Sequence, residues 1–273
     1  MIRDTGRPGD VFTHKTPRVV AARRLTTRAG RDDAGRFLAE GAQAVREALR
    51  FGRVHEVFVT ESAAERHANL LVDAPAVSLI DRRAAELLSE TVTPQGIAAV
   101  CDTVDVDLET ALAGRPRLVA VLAGVADPGN AGTVLRVADA AGADAVIFAG
   151  DAVDVHNGKC VRASTGSLFH LPVARERDVL AALGACGRAG LRVVAADGNA
   201  ERGLETATGL DRPTAWLFGN EAHGLPPEVL GHADEALRVP IYGRAESLNL
   251  ATAAAVCLYA AAMAAGRRTT DRG

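Results

Sequence analysis

The sequence predicts an α/β fold with two domains, the second built on a parallel sheet with helices on both faces. Predicted strands and helices alternate along most of the 273 residues, an order typical of parallel sheets. Residues 118–125 form an unbroken apolar run, as expected for a strand that is buried on both faces. Apolar residues make up 48% of the chain, so a large core is available.

The first domain is predicted over residues 17–103 as a small alternating α/β unit. Its predicted elements are a helix over 37–52 with Phe37, Leu38, Ala42, Val45, Ala48 and Leu49 at helical spacing, strands at 54–59, 76–80 and 97–101, and helices at 63–71 and 82–89. Residues 1–16 are polar and are predicted to be a disordered tail. Residues 104–116 are predicted to be a linker or a connecting helix.

The second domain is predicted over residues 117–267, with a short tail at 268–273. Its predicted strands are 118–125, 145–148, 192–196, 215–218 and 237–241, and its predicted helices are 131–141, 177–189 and 248–264. The apolar stretch at 250–264 consists mostly of alanine and is shorter than the roughly 20 residues that a bilayer requires. We therefore expect a buried helix there and no association with a membrane.

Charge and cysteine content limit the class of protein. The net charge is -3, yet residues 1–36 hold nine Lys/Arg against four Asp/Glu. This basic segment is interpreted either as a phosphate-binding patch or as a solvated terminus. The four cysteines are widely spaced and predict neither a zinc site nor a disulfide framework. Reduced thiols and the lack of a signal peptide favour a cytoplasmic protein.

Three polar, glycine-containing motifs follow predicted strands in the second domain. They occupy residues 127–136, 219–225 and 247–249. Ligands of parallel α/β sheets bind beyond the carboxyl ends of the strands, where such motifs would meet. The sequence lacks a GxGxxG turn and a Walker A sequence, which argues against a dehydrogenase, an NTPase or a conventional methyltransferase.

The three motifs in this order resemble the signature motifs of the SpoU/TrmH family of RNA ribose 2'-O-methyltransferases, within the knotted SPOUT superfamily. Motif 1 is matched by Asn130, Gly132 and Arg136. Motif 2 is matched by Gly219, Asn220, Glu221 and Gly224, and motif 3 by Ser247, Leu248 and Asn249. Lys159, Arg162, Ala163, Ser164, Gly166 and Ser167 resemble the family's intermediate segment. Residues 37–41 and 93–96 are similar to landmarks of the ribosomal-protein-like substrate-binding domain that is often fused to it.

This resemblance implies a trefoil knot in the second domain, a homodimer, and S-adenosyl-L-methionine (AdoMet) as cofactor, with no metal. It implies that AdoMet is held by Leu217, Phe218, Gly219, Asn220, Gly224, Val239, Ile241, Leu248 and Asn249. The implied catalytic residues are Arg136, Asn130, Glu221, Ser247 and Asn249.

Arg136 is the family's counterpart for activating the ribose hydroxyl, and two roles for it stay open. Arginine stays protonated in proteins, so a role as general base requires an unusual site. The alternative is that Arg136 stabilises the developing alkoxide while a phosphate or water accepts the proton. Trp216, His156, His170 and His223 are interpreted as structural residues.

The expected partner is RNA, most specifically ribosomal RNA, and the two-domain plan also resembles the thiostrepton-resistance methyltransferase subgroup. The candidate phosphate-binding residues are Arg18, Arg23, Arg24, Arg28, Lys159 and Arg162, with Arg36 in the same basic segment as the first four. The alternatives are a tRNA methyltransferase, a catalytically inactive RNA-binding protein of the same fold, and an enzyme acting on small molecules.

Overall fold

The structure is a computed structural model, and it describes residues 11–266. The described chain divides into two compact units. Unit 1 comprises residues 11–103 together with 156–169, and unit 2 comprises residues 104–155 together with 170–266.

The secondary structure follows the alternating order that the sequence predicts. The strands are β1 (Arg36–Glu40), β2 (Val54–Val59), β3 (Val77–Leu79), β4 (Ile97–Asp102), β5 (Asp105–Val106), β6 (Leu118–Ala123), β7 (Ala145–Ala149), β8 (Val173–Glu176), β9 (Arg192–Ala196), β10 (Thr214–Phe218) and β11 (Glu235–Leu237). The helices are α1 (Pro17–Arg24), α2 (Arg28–Ala34), α3 (Ala42–Phe51), α4 (Glu61–Arg66), α5 (Ala68–Leu71), α6 (Arg82–Leu87), α7 (Leu108–Ala111), α8 (Pro128–Ala140), α9 (Gly158–Ser164), α10 (Val179–Arg188), α11 (Pro227–Leu230) and α12 (Leu250–Ala264).

Each unit has its own sheet. Unit 1 holds a four-stranded sheet in the order β1-β4-β2-β3, in which β4 runs antiparallel to both of its neighbours. Unit 2 holds a seven-stranded sheet in the order β11-β9-β10-β6-β7-β8-β5, and every pairing in it is parallel. All the residues of β6, β7 and β10 are buried, which explains their continuous apolar sequences.

The order of the strands places a topological switch point, at which a crevice is expected, between β6 and β10. The chain runs from β6 to β7 and β8 on one side, whereas β9, β10 and β11 lie on the other side of β6. In an open parallel sheet such a change of direction leaves room for a ligand beyond the carboxyl ends of the strands. The motifs at 127–136 and 219–225 follow β6 and β10, so they flank this crevice.

The predicted helix over 37–52 is wrong in its first part. Residues 36–40 form β1, whose Phe37 and Leu38 pair with Cys101 and Val100 of β4. Gly41 has φ +95°, which is outside the helical region, so the helix begins only at Ala42. Apolar residues at helical spacing could not reveal this boundary, because a buried strand is apolar on both faces.

Other differences concern short elements. Residues 104–116 include β5, which pairs with β8, followed by α7. The last strand is 235–237 rather than 237–241, and β8 and α9 were not predicted. Residues 11–16 are described, and Phe12 hydrogen-bonds through its backbone to Leu79 and Asp81 at 2.7 and 2.9 Å instead of being disordered. The rest of the expected tails, 1–10 and 267–273, lies outside the described residues.

The apolar stretch at 250–264 forms helix α12, as the sequence predicts. All four cysteines are buried, and none forms a disulfide with a described residue. Burial raises the pKa of Cys101, Cys186 and Cys257 to about 12, so these thiols are unreactive. Between residues 11 and 266, no helix is long and apolar enough to cross a membrane.

Candidate functional site

The first motif begins α8 directly beyond the carboxyl end of β6. The side chain of Asp127 is the N-cap of this helix and accepts a hydrogen bond from the backbone N–H of Asn130 at 2.8 Å. Pro128 occupies the first turn, where a missing N–H costs nothing. These local signals hold the side chain of Asn130 at the edge of the crevice.

The second motif is a tight loop after β10. The Asn220 side chain accepts hydrogen bonds from the N–H groups of Ala222 and His223 at 2.9 and 3.2 Å, and donates to the carbonyl of Gly124 at 2.8 Å. Gly124 follows β6, so Asn220 ties the ends of the two central strands together. A Cβ at Gly219 would lie 2.6 Å from the carbonyl group of Gly224, so only glycine fits there.

The third motif ends at the start of α12. Asn249 is the N-cap of this helix, and its Oδ1 accepts hydrogen bonds from Ala251 and Thr252 at 2.9 and 3.3 Å. Its Nδ2 donates to Oδ1 of Asn130 at 2.9 Å. The cap therefore leaves the amide nitrogen directed at the first motif.

Glu221 completes a hydrogen-bonded network that joins all three motifs. Its Oε1 accepts from the Asp127 N–H at 3.0 Å and from Nδ2 of Asn130 at 3.1 Å, and its Oε2 accepts from the Ala126 N–H at 3.0 Å. Asn130 thus lies between Glu221, 91 residues away in sequence, and Asn249, 119 residues away. The sequence predicted the members of this network but not its connections.

Glu221 is a fixed anion in this network. Partial burial tends to raise its pKa, but the hydrogen bonds from Ala126, Asn130 and Asp127 outweigh that effect and lower the pKa below its ordinary value. The carboxylate therefore stays ionised at neutral pH and lies beside the N-terminus of α8, where the helix dipole favours negative charge.

Arg136 and Ser247 are not joined to this network. Arg136 lies six residues after Asn130 on α8, which places it roughly 9 Å further along the helix axis and about 240° around it. It is exposed, and it makes no hydrogen bond or ion pair with any residue that the structure describes. Ser247 is exposed in the segment before α12 and has no partner within the same described range.

The residues expected to hold AdoMet fall into two groups. Leu217 and Phe218 are buried side chains of β10 and pair with both β6 and β9, so a ligand can approach them only at the carboxyl end of the strand. Residues 239–248, which include Val239, Ile241 and Leu248, form no backbone hydrogen bond with any described residue. A run of unpaired backbone groups beside the crevice offers the donors and acceptors that a nucleoside requires.

The candidate RNA-binding residues differ in whether an acidic side chain neutralises their positive charge. Arg23 and Arg24 are exposed at the end of α1, and their side chains have no acidic partner in the described chain. Arg18 pairs with Glu56 at 3.3 Å, and Arg28 lies 3.8 Å from Asp32. Lys159 is exposed in the first turn of α9.

Arg162 is already paired within unit 1. Its guanidinium lies 2.8 Å from Glu40, which is 8% exposed, and 3.8 Å from Glu90. This geometry favours a structural role over the phosphate contact that the sequence suggested, because releasing Arg162 would leave the Glu40 carboxylate buried without its cation.

Two histidines have surroundings that the sequence did not reveal. Nδ1 of His170 lies 2.8 Å from Asp139 of α8, and the buried ring of His156 lies 4.7 Å from the ring of Phe37. His223 is exposed. Within residues 11–266, no group of three or more His, Cys, Asp or Glu side chains is arranged to hold a metal ion.

Comparison with known proteins identifies relatives over nearly the whole chain. Residues 117–259 match the SpoU rRNA Methylase family, and residues 16–99 match the MRM3-like substrate binding domain. The 23S rRNA (guanosine(2553)-2'-O)-methyltransferase RlmP of Bacillus subtilis is 36% identical over 248 residues, which cover 90% of this chain and 96% of the relative. The 23S rRNA (uridine(2479)-2'-O)-methyltransferase of Streptomyces viridochromogenes is 31% identical, with 89% and 93% covered.

A solved structure shares the fold of both units. The crystal structure of AdoMet-bound rRNA methyltransferase from Sinorhizobium meliloti aligns with a TM-score of 0.81 and 30% sequence identity. The alignment covers 93% of this chain and 98% of that one.

Proposed function

Because the chain belongs to the SpoU rRNA methylase family, we propose that it transfers a methyl group from AdoMet to a ribose 2'-hydroxyl of ribosomal RNA. The observation that carries this proposal is the network of Asn130, Glu221 and Asn249, because it assembles all three family motifs at the ligand-binding edge of a parallel sheet. Large-subunit rRNA is the substrate of both relatives described above, and it is the substrate proposed here.

The cofactor site is proposed to lie between the loop after β10 and the segment before α12. The unpaired backbone of residues 239–248 would bind the nucleoside, and Gly219 permits the close approach of the second loop. These features fit AdoMet, which supplies an electrophilic methyl group on a sulfonium when it is bound. We also propose that the chain is threaded here as the trefoil knot of the family.

The network positions groups for the reaction, and Arg136 acts on the ribose. Methyl transfer requires the 2'-oxygen in line with the methyl group, and it requires stabilisation of the charge that develops on that oxygen. A protonated guanidinium is suited to stabilising an alkoxide, whereas it is a poor proton acceptor. We therefore favour electrostatic stabilisation by Arg136, with an RNA phosphate or water accepting the proton.

A homodimer is proposed as the active form. Val256, Tyr259 and Met263 form an exposed apolar stripe on α12, with 39%, 42% and 70% of their surfaces accessible. A second copy of the chain would cover this stripe, and Arg136 of one copy would then complete the site of the other. Substitution of Tyr259 and Met263 by glutamate is expected to yield a monomer in light scattering, whereas Val72→Glu, at an exposed site of unit 1, is not.

The activity is tested by incubating the protein with labelled AdoMet and separated RNA pools, followed by mass mapping of 2'-O-methyl sites. Methylation is expected at a ribose of large-subunit rRNA, and we propose a cytoplasmic location for the protein. Arg136→Ala is expected to abolish methylation while AdoMet binding persists, and Arg188→Ala, at an exposed site of α10, serves as control. Methylation of tRNA alone would redirect the assignment, and failure to bind AdoMet would favour an inactive RNA-binding protein.

A further inference from the structure

Unit 1 carries a second concentration of positive charge, which includes Arg36 of the basic N-terminal segment together with arginines at and after the end of α3. The first residue of β1, the last residue of β4 and the turn before β2 meet at one end of the four-stranded sheet. Asp102 lies at the centre of this end. Nε of Arg36 lies 3.5 Å and Nε of Arg53 lies 3.4 Å from its carboxylate, and Nε2 of His55 lies 2.5 Å from it.

The two arginines contact Asp102 through only one nitrogen of each guanidinium. Each is in contact with the carboxylate through Nε, and neither makes another hydrogen bond or ion pair with the described part of the chain. Arg36 is 44% exposed and Arg53 is 81% exposed at the side chain. The Nη groups of both guanidiniums are therefore available to an external anion, and a planar guanidinium suits phosphate.

An exposed aromatic ring and a third arginine end the helix that precedes this turn. Phe51 ends α3, two residues before Arg53, and is 56% exposed. The guanidinium carbon of Arg50 lies 5.3 Å from the centre of its ring. An aromatic ring among arginines is the combination that single-stranded RNA requires, because bases stack on the ring while phosphates bind the cations.

The turn that presents these groups is firmly held. The Gly52 N–H donates to the carbonyl of Ala48 at 2.8 Å, and a Cβ on Gly52 would lie only 3.0 Å from the ring of Phe169. The Asp102 N–H donates to the carbonyl of Arg53 at 3.0 Å. Because this backbone is fixed, little ordering entropy remains to be lost when a ligand binds.

We propose that Arg36 and Arg53, which contact Asp102, form a binding site for a single-stranded segment of RNA together with Arg50 and Phe51 at the end of α3. We call this group the sheet-end patch. The inference rests on the proposed function, because it identifies a further contact for the RNA substrate. Phe51 provides a stacking surface for one base, and the three arginines bind the adjoining phosphates.

The test measures binding of a fluorescein-labelled 20-nucleotide oligouridylate to the full-length protein across a range of salt concentrations. The variant Arg36→Gln/Arg53→Gln removes two phosphate contacts and is expected to reduce the slope of log affinity against log salt by about 1.4. Phe51→Ala is expected to weaken binding about tenfold by loss of stacking, and Phe51→Trp to restore it. The matched control, Arg82→Gln/Arg83→Gln, removes the same charge from the exposed start of α6.

The outcomes separate the sheet-end patch from its alternatives. Equal affinity and equal salt slope in the patch variant and the control variant would overturn the proposal. The arginine variant could weaken the binding of polyglutamate as much as that of oligouridylate, while Phe51→Ala leaves oligouridylate binding unchanged. That result would show a general anion-binding surface instead of an RNA site. Absence of RNA methylation by the wild-type protein would refute the proposed function. The differences in oligouridylate binding between the variants would still be observed in that case.

Discussion

Replacement of Glu221 by glutamine tests the network on which the functional assignment depends. The substitution keeps the size of the side chain but removes its charge and one of its two acceptor oxygens. The amide nitrogen of glutamine would face an N–H donor, from either Ala126 or Asp127, that now lacks an acceptor. The contact that fixes Asn130 is weakened at the same time.

The expected loss of stability follows from these contacts. A hydrogen bond to a charged group contributes roughly 1.5–3 kcal/mol when it is shielded from water. Glu221 is exposed at the surface, so solvent screening reduces this contribution, and glutamine retains one acceptor. We therefore expect a loss of about 1–2 kcal/mol. The effect on activity is expected to be larger, on the order of a hundredfold, because a displacement of about 1 Å is enough for such a loss.

Stability is measured by urea unfolding followed by the fluorescence of Trp216, the single tryptophan of the chain, which is fully buried in β10 of unit 2. The pKa of Glu221 is lower in the folded protein than its ordinary value of 4.5. Its contribution is therefore fully present above pH 4.5 and is lost as the pH falls through the folded pKa. The difference between wild type and Glu221→Gln should shrink in that acidic range.

Two results would refute this reasoning. Glu228→Gln, in the first turn of α11, removes the same charge from a side chain that has no hydrogen-bond partner in the described structure, and it should have no effect. An equal loss in both variants would show that net charge, not the network, is responsible. A stability difference that does not change between pH 7 and pH 3.5 would show that the ionised carboxylate contributes nothing.

Three further predictions concern other parts of the two units. Asn249→Ala removes the cap of α12 and the contact with Asn130. We expect the free energy of unfolding, measured in urea, to fall by about 1–2 kcal/mol and methylation to decrease; unchanged activity would contradict the network. Gly219→Ala places a methyl group 2.6 Å from backbone atoms and is expected to abolish AdoMet binding in calorimetry, whereas Gly187→Ala, which meets no atom within 4 Å, should be tolerated. Arg162→Met leaves the carboxylate of Glu40 buried without its cation, so thermal unfolding of unit 1 should reveal a loss of about 3 kcal/mol, and the additional change Glu40→Gln should recover part of it.

The sequence was most informative where local signals and burial agree. The strand at 192–196 and the helices beginning near 179 and 250 were predicted within about two residues, because their apolar runs are continuous. Both predicted helices began before the residues that the structure shows as N-caps, Asp178 and Asn249. The parallel sheet could be predicted from fully apolar strands that alternate with helices. The family motifs then indicated which loops would come together.

The remainder depends on contacts between distant parts of the chain. The pairing of β5 with β8 leaves no periodic pattern, because β5 is too short. The strand at Arg36–Glu40 leaves none either, because it is buried on both faces. The ion pair between Arg162 and Glu40, which are 122 residues apart, has no sequence signal. An isolated arginine in a sequence is equally compatible with a phosphate contact and with a buried ion pair, and only the fold distinguishes them.

The site also shows why structural and functional interpretations of the same asparagine need not conflict. An N-cap uses only the side-chain oxygen, because it accepts from the backbone of the first turn. Asparagine carries an additional amide nitrogen, and at Asn249 this nitrogen donates to Asn130. Aspartate at position 249 would preserve the cap but replace this donor with an oxygen facing Oδ1 of Asn130. A helix cap that must also reach a second motif therefore requires an amide, so the residue that begins α12 is the one that connects it to the site.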